Sequence, residues 1–146
     1  MHLNDFQKRL EKVKRKNQEF TFKLNDGVDL SDITYLEQQM RTELPESIRT
    51  FWTYSDGLES ENPGLRICKL KDFNFIGKSL IHFATFDKDI KVYFDASNLN
   101  IAKEWSIVNK EENYTLSLTM ASFWSNKIWQ WLDSKTEIWK DEYWIK

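Results

Sequence analysis

The feature that most constrains this chain is the order in which its apolar residues change period. Leu3, Phe6, Leu10 and Val13 recur at helical spacing between Lys and Arg residues, which predicts an amphipathic helix from residue 3 to about 18. Phe20, Phe22 and Leu24 then alternate as in a short strand or extended arm, and Asn25-Asp26-Gly27 is a turn signal. A second helix is expected with Ser31 or Asp32 as its cap and Ile33, Leu36 and Met40 on one face. Pro45 suits the first turn of a third, carrying Ile48, Phe51 and Trp52, and Asp56-Gly57 supplies its stop.

Past Gly57 the period falls to two. Leu65, Ile67 and Lys69 alternate with Cys68 and Leu70, and Leu80 to Phe86 and Ile90 to Phe94 flank Asp87-Lys88-Asp89 as an antiparallel hairpin. Trp105 to Val108 and Tyr114 to Leu118 flank a polar turn and extend the meander. From about Ala121 the helical period returns, with Trp124, Ile128, Trp131 and Leu132 on one face and Ser122 as the expected cap. Helices, then strands, then a helix predict a single α+β domain: an antiparallel meander of 4 to 6 strands with helices packed on one face.

Composition narrows what such a domain does. The 146 residues are 40% hydrophobic and 30% charged, which suits one globular domain with its own core. Seven Trp, five Tyr and ten Phe provide either an unusually aromatic core or an adhesive surface. Four glycines leave no room for a glycine-rich phosphate loop. With 21 basic and 23 acidic residues, the chain lacks the basic excess of a nucleic-acid binder, and no direct nucleic-acid contact is expected. The charge is uneven: residues 1 to 24 hold seven Lys or Arg against three acids, and the remainder holds 14 against 20. A lone cysteine, Cys68, a charged N-terminus without a signal-peptide core and no long apolar run point to a cytoplasmic protein that does not enter membranes.

Catalytic chemistry finds little footing in the residues. One Cys and two separated His cannot build a structural zinc site, so no metal or other cofactor is expected. Nothing in the spacing brings Cys68 and His82 together as a nucleophile and base. Glu59/Glu61 and Glu111-Glu112 are carboxylate pairs, but turn-borne acids normally sit in water. No enzymatic activity is expected. The basic residues of the first helix occupy the positions an amphipathic helix shows to solvent.

An ordered set of residues resembles a known family. Ile33, Leu36, Glu37, Leu44, Pro45, Glu46, Ile48 and Phe51, followed by Asp56-Gly57, look like the opening signature of the SUKH superfamily. Phe83-Ala84, Tyr93-Phe94-Asp95 and Ser122-Phe123 through Leu132 continue it in order. The resemblance spans residues 31–132; the basic segment 1–24 and the Trp-rich tail 133–146 lie outside it. It implies an α+β fold and, as in bacterial members, immunity: stoichiometric binding of a cognate polymorphic toxin, often a nuclease, that blocks its active site. Similarity to the fungal Smi/Knr regulators implies the alternative of a regulatory interaction scaffold without a toxin. Neither implies catalytic residues.

Under the immunity reading, carboxylates able to enter the positive cleft of a nuclease become candidates, because they steer encounter and occupy phosphate positions. Asp56, Glu59 and Glu61 after the third helix, and Asp87 and Asp89 in the hairpin, are expected in loops; the alternative role for them is solubility. Trp139, Tyr143 and Trp144 are candidate aromatic anchors beside Asp141 and Glu142, unless the tail folds back over the core.

Overall fold

The structure is a computed structural model and describes residues 2–140. A single turn at Leu3–Asp5 leads into α1 (Phe6–Lys16), β1 (Thr21–Leu24), α2 (Leu30–Met40) and α3 (Glu46–Tyr54). Eight strands are present among the described residues, continuing with β2 (Leu58–Glu61), β3 (Leu65–Ile67), β4 (Asn74–Ile76), β5 (Leu80–Phe86), β6 (Ile90–Asp95), β7 (Ser106–Asn109) and β8 (Tyr114–Ser117). The last helix, α4, runs through Met120–Ser122, a π-helical turn Phe123–Lys127 and Ile128–Ser134.

All strand pairs are antiparallel, in the order β1-β2-β3-β5-β6-β7-β8, with β4 set beside the first half of β5. The α+β class holds, and the sheet is larger than the expected 4 to 6 strands. The difference lies in two short elements: β2 is Leu-Glu-Ser-Glu and β4 is Asn-Phe-Ile, and neither carries two apolar residues alternating with polar ones. Both exist because neighbouring strands hold them in register, β1 and β3 for β2 and the longer β5 for β4.

One face of the sheet is buried under the helices. Leu58, Ile67, Phe83, Val92, Phe94 and Ile107 all point there. A bulge between His82 and Ala84 lets the consecutive residues Phe83 and Ala84 both turn inward. Trp52 of α3, fully buried, anchors the middle: edges of Phe51, Phe73, Phe83 and Phe94 surround its indole at 4.9–6.1 Å. Its Nε1–H donates to the carbonyl of Cys68 at 3.1 Å, so burial leaves no polar group stranded. Phe83 and Phe94 stack at 3.8 Å across the β5–β6 hairpin.

Local chemistry fixes the turns that matter for the surface. Gly57 has φ +102°, and a Cβ there would lie 2.5 Å from the carbonyl oxygen of Ile67, so only glycine links α3 to β2. Asp29, rather than Ser31 or Asp32, caps α2, and its backbone N–H donates to the Asp32 carboxylate at 3.2 Å. The Glu37 carboxylate accepts the Leu44 backbone N–H at 2.7 Å and fixes the α2–α3 break at Leu44-Pro45. Thr119, not Ser122, caps α4, its hydroxyl accepting the Ser122 backbone N–H at 2.9 Å.

Candidate functional site

The carboxylates singled out from sequence fall in three places. Glu59 and Glu61 are not loop residues: they lie on β2 and project from the open face of the sheet, opposite the helices. Across the strands Glu59 is flanked by Lys23 of β1 and Arg66 of β3. Such cross-strand opposite charges favour the pairing by about 0.2–1 kcal/mol. Asp87 and Asp89 are exposed in the β5–β6 turn as expected, and the Asp87 backbone N–H reaches the Gly64 carbonyl at 2.9 Å. That bond joins two hairpin tips, so Glu61 and Asp87 line one cleft of about 470 Å³. Lys88 and Lys135 line it too, which balances its charge.

Asp56 lies at the other end of β2, before the strand begins. Its carboxylate accepts the Leu70 backbone N–H at 2.7 Å, and burial pushes its pKa above the ordinary carboxylate value. Trp139 is in the core rather than on the surface. It is 3% exposed, and its ring sits 4.9 Å from Trp131 and 5.4 Å from Phe86, so the chain turns back after α4 and covers that end of the sheet. Tyr143 and Trp144 lie outside the described residues.

Asp56 leads to a surface the sequence reading missed. It lines a groove of about 300 Å³ between α2 and β4, with Val28, Leu36, Leu70 and Phe73 as its apolar lining. Tyr35 and Phe75 also line it and remain 63% and 49% exposed. Phe75 pairs with the inward-facing Ile81, so its ring is on the helix side of the sheet at a margin the helices do not close. The cause is visible in α2, which buries only Ile33 of its eleven residues. Two signals were present in the sequence: Leu30 and Tyr35 lie off the Ile33–Leu36–Met40 stripe, and Phe75-Ile76 follows a turn with no helical or alternating context.

The charge around this groove is one-sided. Asp32 and Lys71 share its lining, and Asp32, Asp72 and Lys69 act electrostatically on Asp56. Asp26, whose carbonyl accepts the Asp56 backbone N–H at 2.9 Å, and Asp29 border the same segment. Five aspartates therefore gather at one end of α2 against Lys69 and Lys71.

The remaining polar candidates serve local structure. His82 Nε2 lies 3.0 Å from both the Ala84 carbonyl and the Thr85 hydroxyl, straddling the bulge, and burial lowers its pKa from the ordinary 6.5. Burial pushes the Cys68 thiol up to about 12, which leaves it protonated and unreactive at neutral pH. Among the described residues, no three His, Cys, Asp or Glu side chains are grouped to hold a metal ion. No helix there is long and apolar enough to cross a membrane. On α1, Phe6, Leu10 and Val13 are buried, and the Lys residues are exposed to solvent.

Neither a scan against protein-family models nor a search of curated proteins found a match to this chain. The fold and the surface therefore define the class, an α+β protein with an open, acid-rimmed aromatic groove at its sheet margin.

Proposed function

We propose that this chain is a cytoplasmic immunity protein of the SUKH type, which binds a cognate protein toxin stoichiometrically and occludes its active site. The observation that carries this reading is the exposure of Tyr35 and Phe75, 63% and 49%, on either side of an apolar groove. A ring on the surface gives the monomer little, whereas aromatic side chains dominate the energetics of protein interfaces. The ordered SUKH-like residues support the same reading. Two of them have a structural reason: Glu37 fixes the α2–α3 break and Gly57 the α3–β2 link.

A standard complex buries about 1,600 Å² in total, far more than the groove alone, so the groove is an anchor within a wider contact. With a toxin that handles nucleic acid, the aspartates at one end of α2 provide complementary charge and speed encounter.

Co-expression with the toxin domain encoded beside the gene is the test. A one-to-one complex that survives purification and abolishes toxicity is expected. Loss of the toxin during purification, or capture of several cellular proteins and no toxin, contradicts the reading; the second result fits a regulatory scaffold.

A further inference from the structure

We propose that the α2–β4 groove is an arginine-anchor site, built to take one arginine of the partner between the Tyr35 and Phe75 rings with its guanidinium on the Asp56 carboxylate. This inference rests on the immunity reading and names the chemistry of the partner segment that the groove accepts.

Three features converge. The first is shape: about 300 Å³, open to solvent, holds one long side chain and part of its neighbours. The second is the lining. Val28, Leu36, Leu70 and Phe73 offer apolar surface to an aliphatic stem, and Tyr35 and Phe75 add two aromatic rings to the lining. Arginine suits such a slot better than lysine, because its planar guanidinium stacks on rings and is more weakly hydrated. The third is the carboxylate. Asp56 lines the groove with one oxygen engaged by the Leu70 backbone N–H at 2.7 Å, and no Lys or Arg among the described residues forms an ion pair with it. Asp32 adds a second carboxylate to the same lining, partly engaged by the Asp29 backbone N–H at 3.2 Å. Lys71 is the one cation in the lining and Lys69 acts on Asp56 from beside it, so an incoming guanidinium meets Asp56, Asp32 and Asp72 against two ammonium groups.

The hairpin-end cleft makes a useful contrast. Glu61 and Asp87 there share their surroundings with Lys88 and Lys135, and the ring present, Trp131, is spent on a hydrogen bond to the Gly64 carbonyl at 2.8 Å. That site has no charge preference to offer, and the α2–β4 groove does.

The experiment uses the full chain and a short fluorescein-labelled peptide with arginine between two leucines, alongside versions carrying lysine or glutamine at the centre. Fluorescence anisotropy should rank arginine first and lysine second, with arginine about tenfold tighter than glutamine. Asp56→Asn keeps an acceptor for the Leu70 N–H and should erase the preference for arginine while leaving weak apolar binding. Tyr35→Ser with Phe75→Ser should remove binding of all three peptides. Glu61→Gln with Asp87→Asn should change nothing. Equal binding of the three peptides, no binding, or retention of the arginine preference in Asp56→Asn overturns the site. Circular dichroism and thermal melts of each variant separate loss of binding from loss of fold. If the chain holds its toxin and the peptides show no preference, the arginine site falls and the immunity reading stands. If no toxin is held, the immunity reading falls whatever the peptides do.

Discussion

The two ends of the helical layer treat aromatic residues in opposite ways. On the α4 side, Phe123, Trp124, Trp129 and Trp131 are all buried, Trp129 against Phe6 at 5.2 Å and Trp131 against Trp139. At the α2–β4 margin, Tyr35 and Phe75 stand half out of the protein. The chemistry of the rings is similar; the difference is coverage. Helix α4 is braced by α1, through Phe6 and through an Arg9–Asp133 ion pair at 2.6 Å, whereas α2 fully buries only Ile33, with Leu36 and Met40 packed half-buried beside it. Buried rings are concentrated on one side and exposed rings on the other, so stability and the proposed binding should be separable by mutation.

The largest effect should come from the centre of the core, between the two ends. Trp52→Ala removes a ring that touches four others and should cost about 3–5 kcal/mol in urea unfolding. A loss near zero would break the comparison at its strongest point. The neighbouring Cys68 sharpens it by a rate. A thiol at about 12, against the ordinary 9.0, carries about a thousandfold less thiolate at pH 8, so iodoacetamide should label the native chain far more slowly than the unfolded one. Fast native labelling would mean that this region opens readily.

Smaller effects follow. Trp131→Phe keeps an aromatic ring but loses the bond to the Gly64 carbonyl and part of the buried indole, and at least about 1 kcal/mol of destabilisation is expected in urea unfolding. Asp56 and His82 give opposite pH signatures. The folded-state pKa of Asp56 is raised, so its contribution is present below the unfolded value and is lost as pH rises through the folded pKa. For His82 the folded pKa is lowered, so its contribution is present above 6.5 and is lost as pH falls through the folded pKa. His82→Gln should therefore flatten the loss of stability below pH 6.5, measured by urea titration at several pH values. The smallest effect belongs to the open side: Tyr35→Ser with Phe75→Ser should leave stability within about 0.5 kcal/mol, checked by the same titration.

What the sequence disclosed follows the same divide between local and non-local causes. Phe6, Leu10 and Val13 on α1 and the β5–β6 hairpin were legible because neighbours along the chain create their periods. Strands β2 and β4 were not, since their register comes from β3 and β5. Glu59 and Glu61 were misplaced in a loop for that reason, and Trp139 was ambiguous because its burial depends on Phe86, far away in sequence. The groove was least visible of all. It exists where a helix fails to cover a sheet margin, which the sequence marks only through Leu30 and Tyr35 off the α2 stripe and Phe75-Ile76 outside any period; among the candidates only Asp56 marked it.

The most direct test of the account is hydrogen–deuterium exchange on the chain with and without its co-purified partner. Protection should appear in residues 28–39 and 70–76, the two walls of the groove, with the α4 side slow to exchange in both states. Protection confined to residues 61–64 and 87–89, at the hairpin tips, would contradict the claim that the α2–β4 margin is where this protein meets its partner.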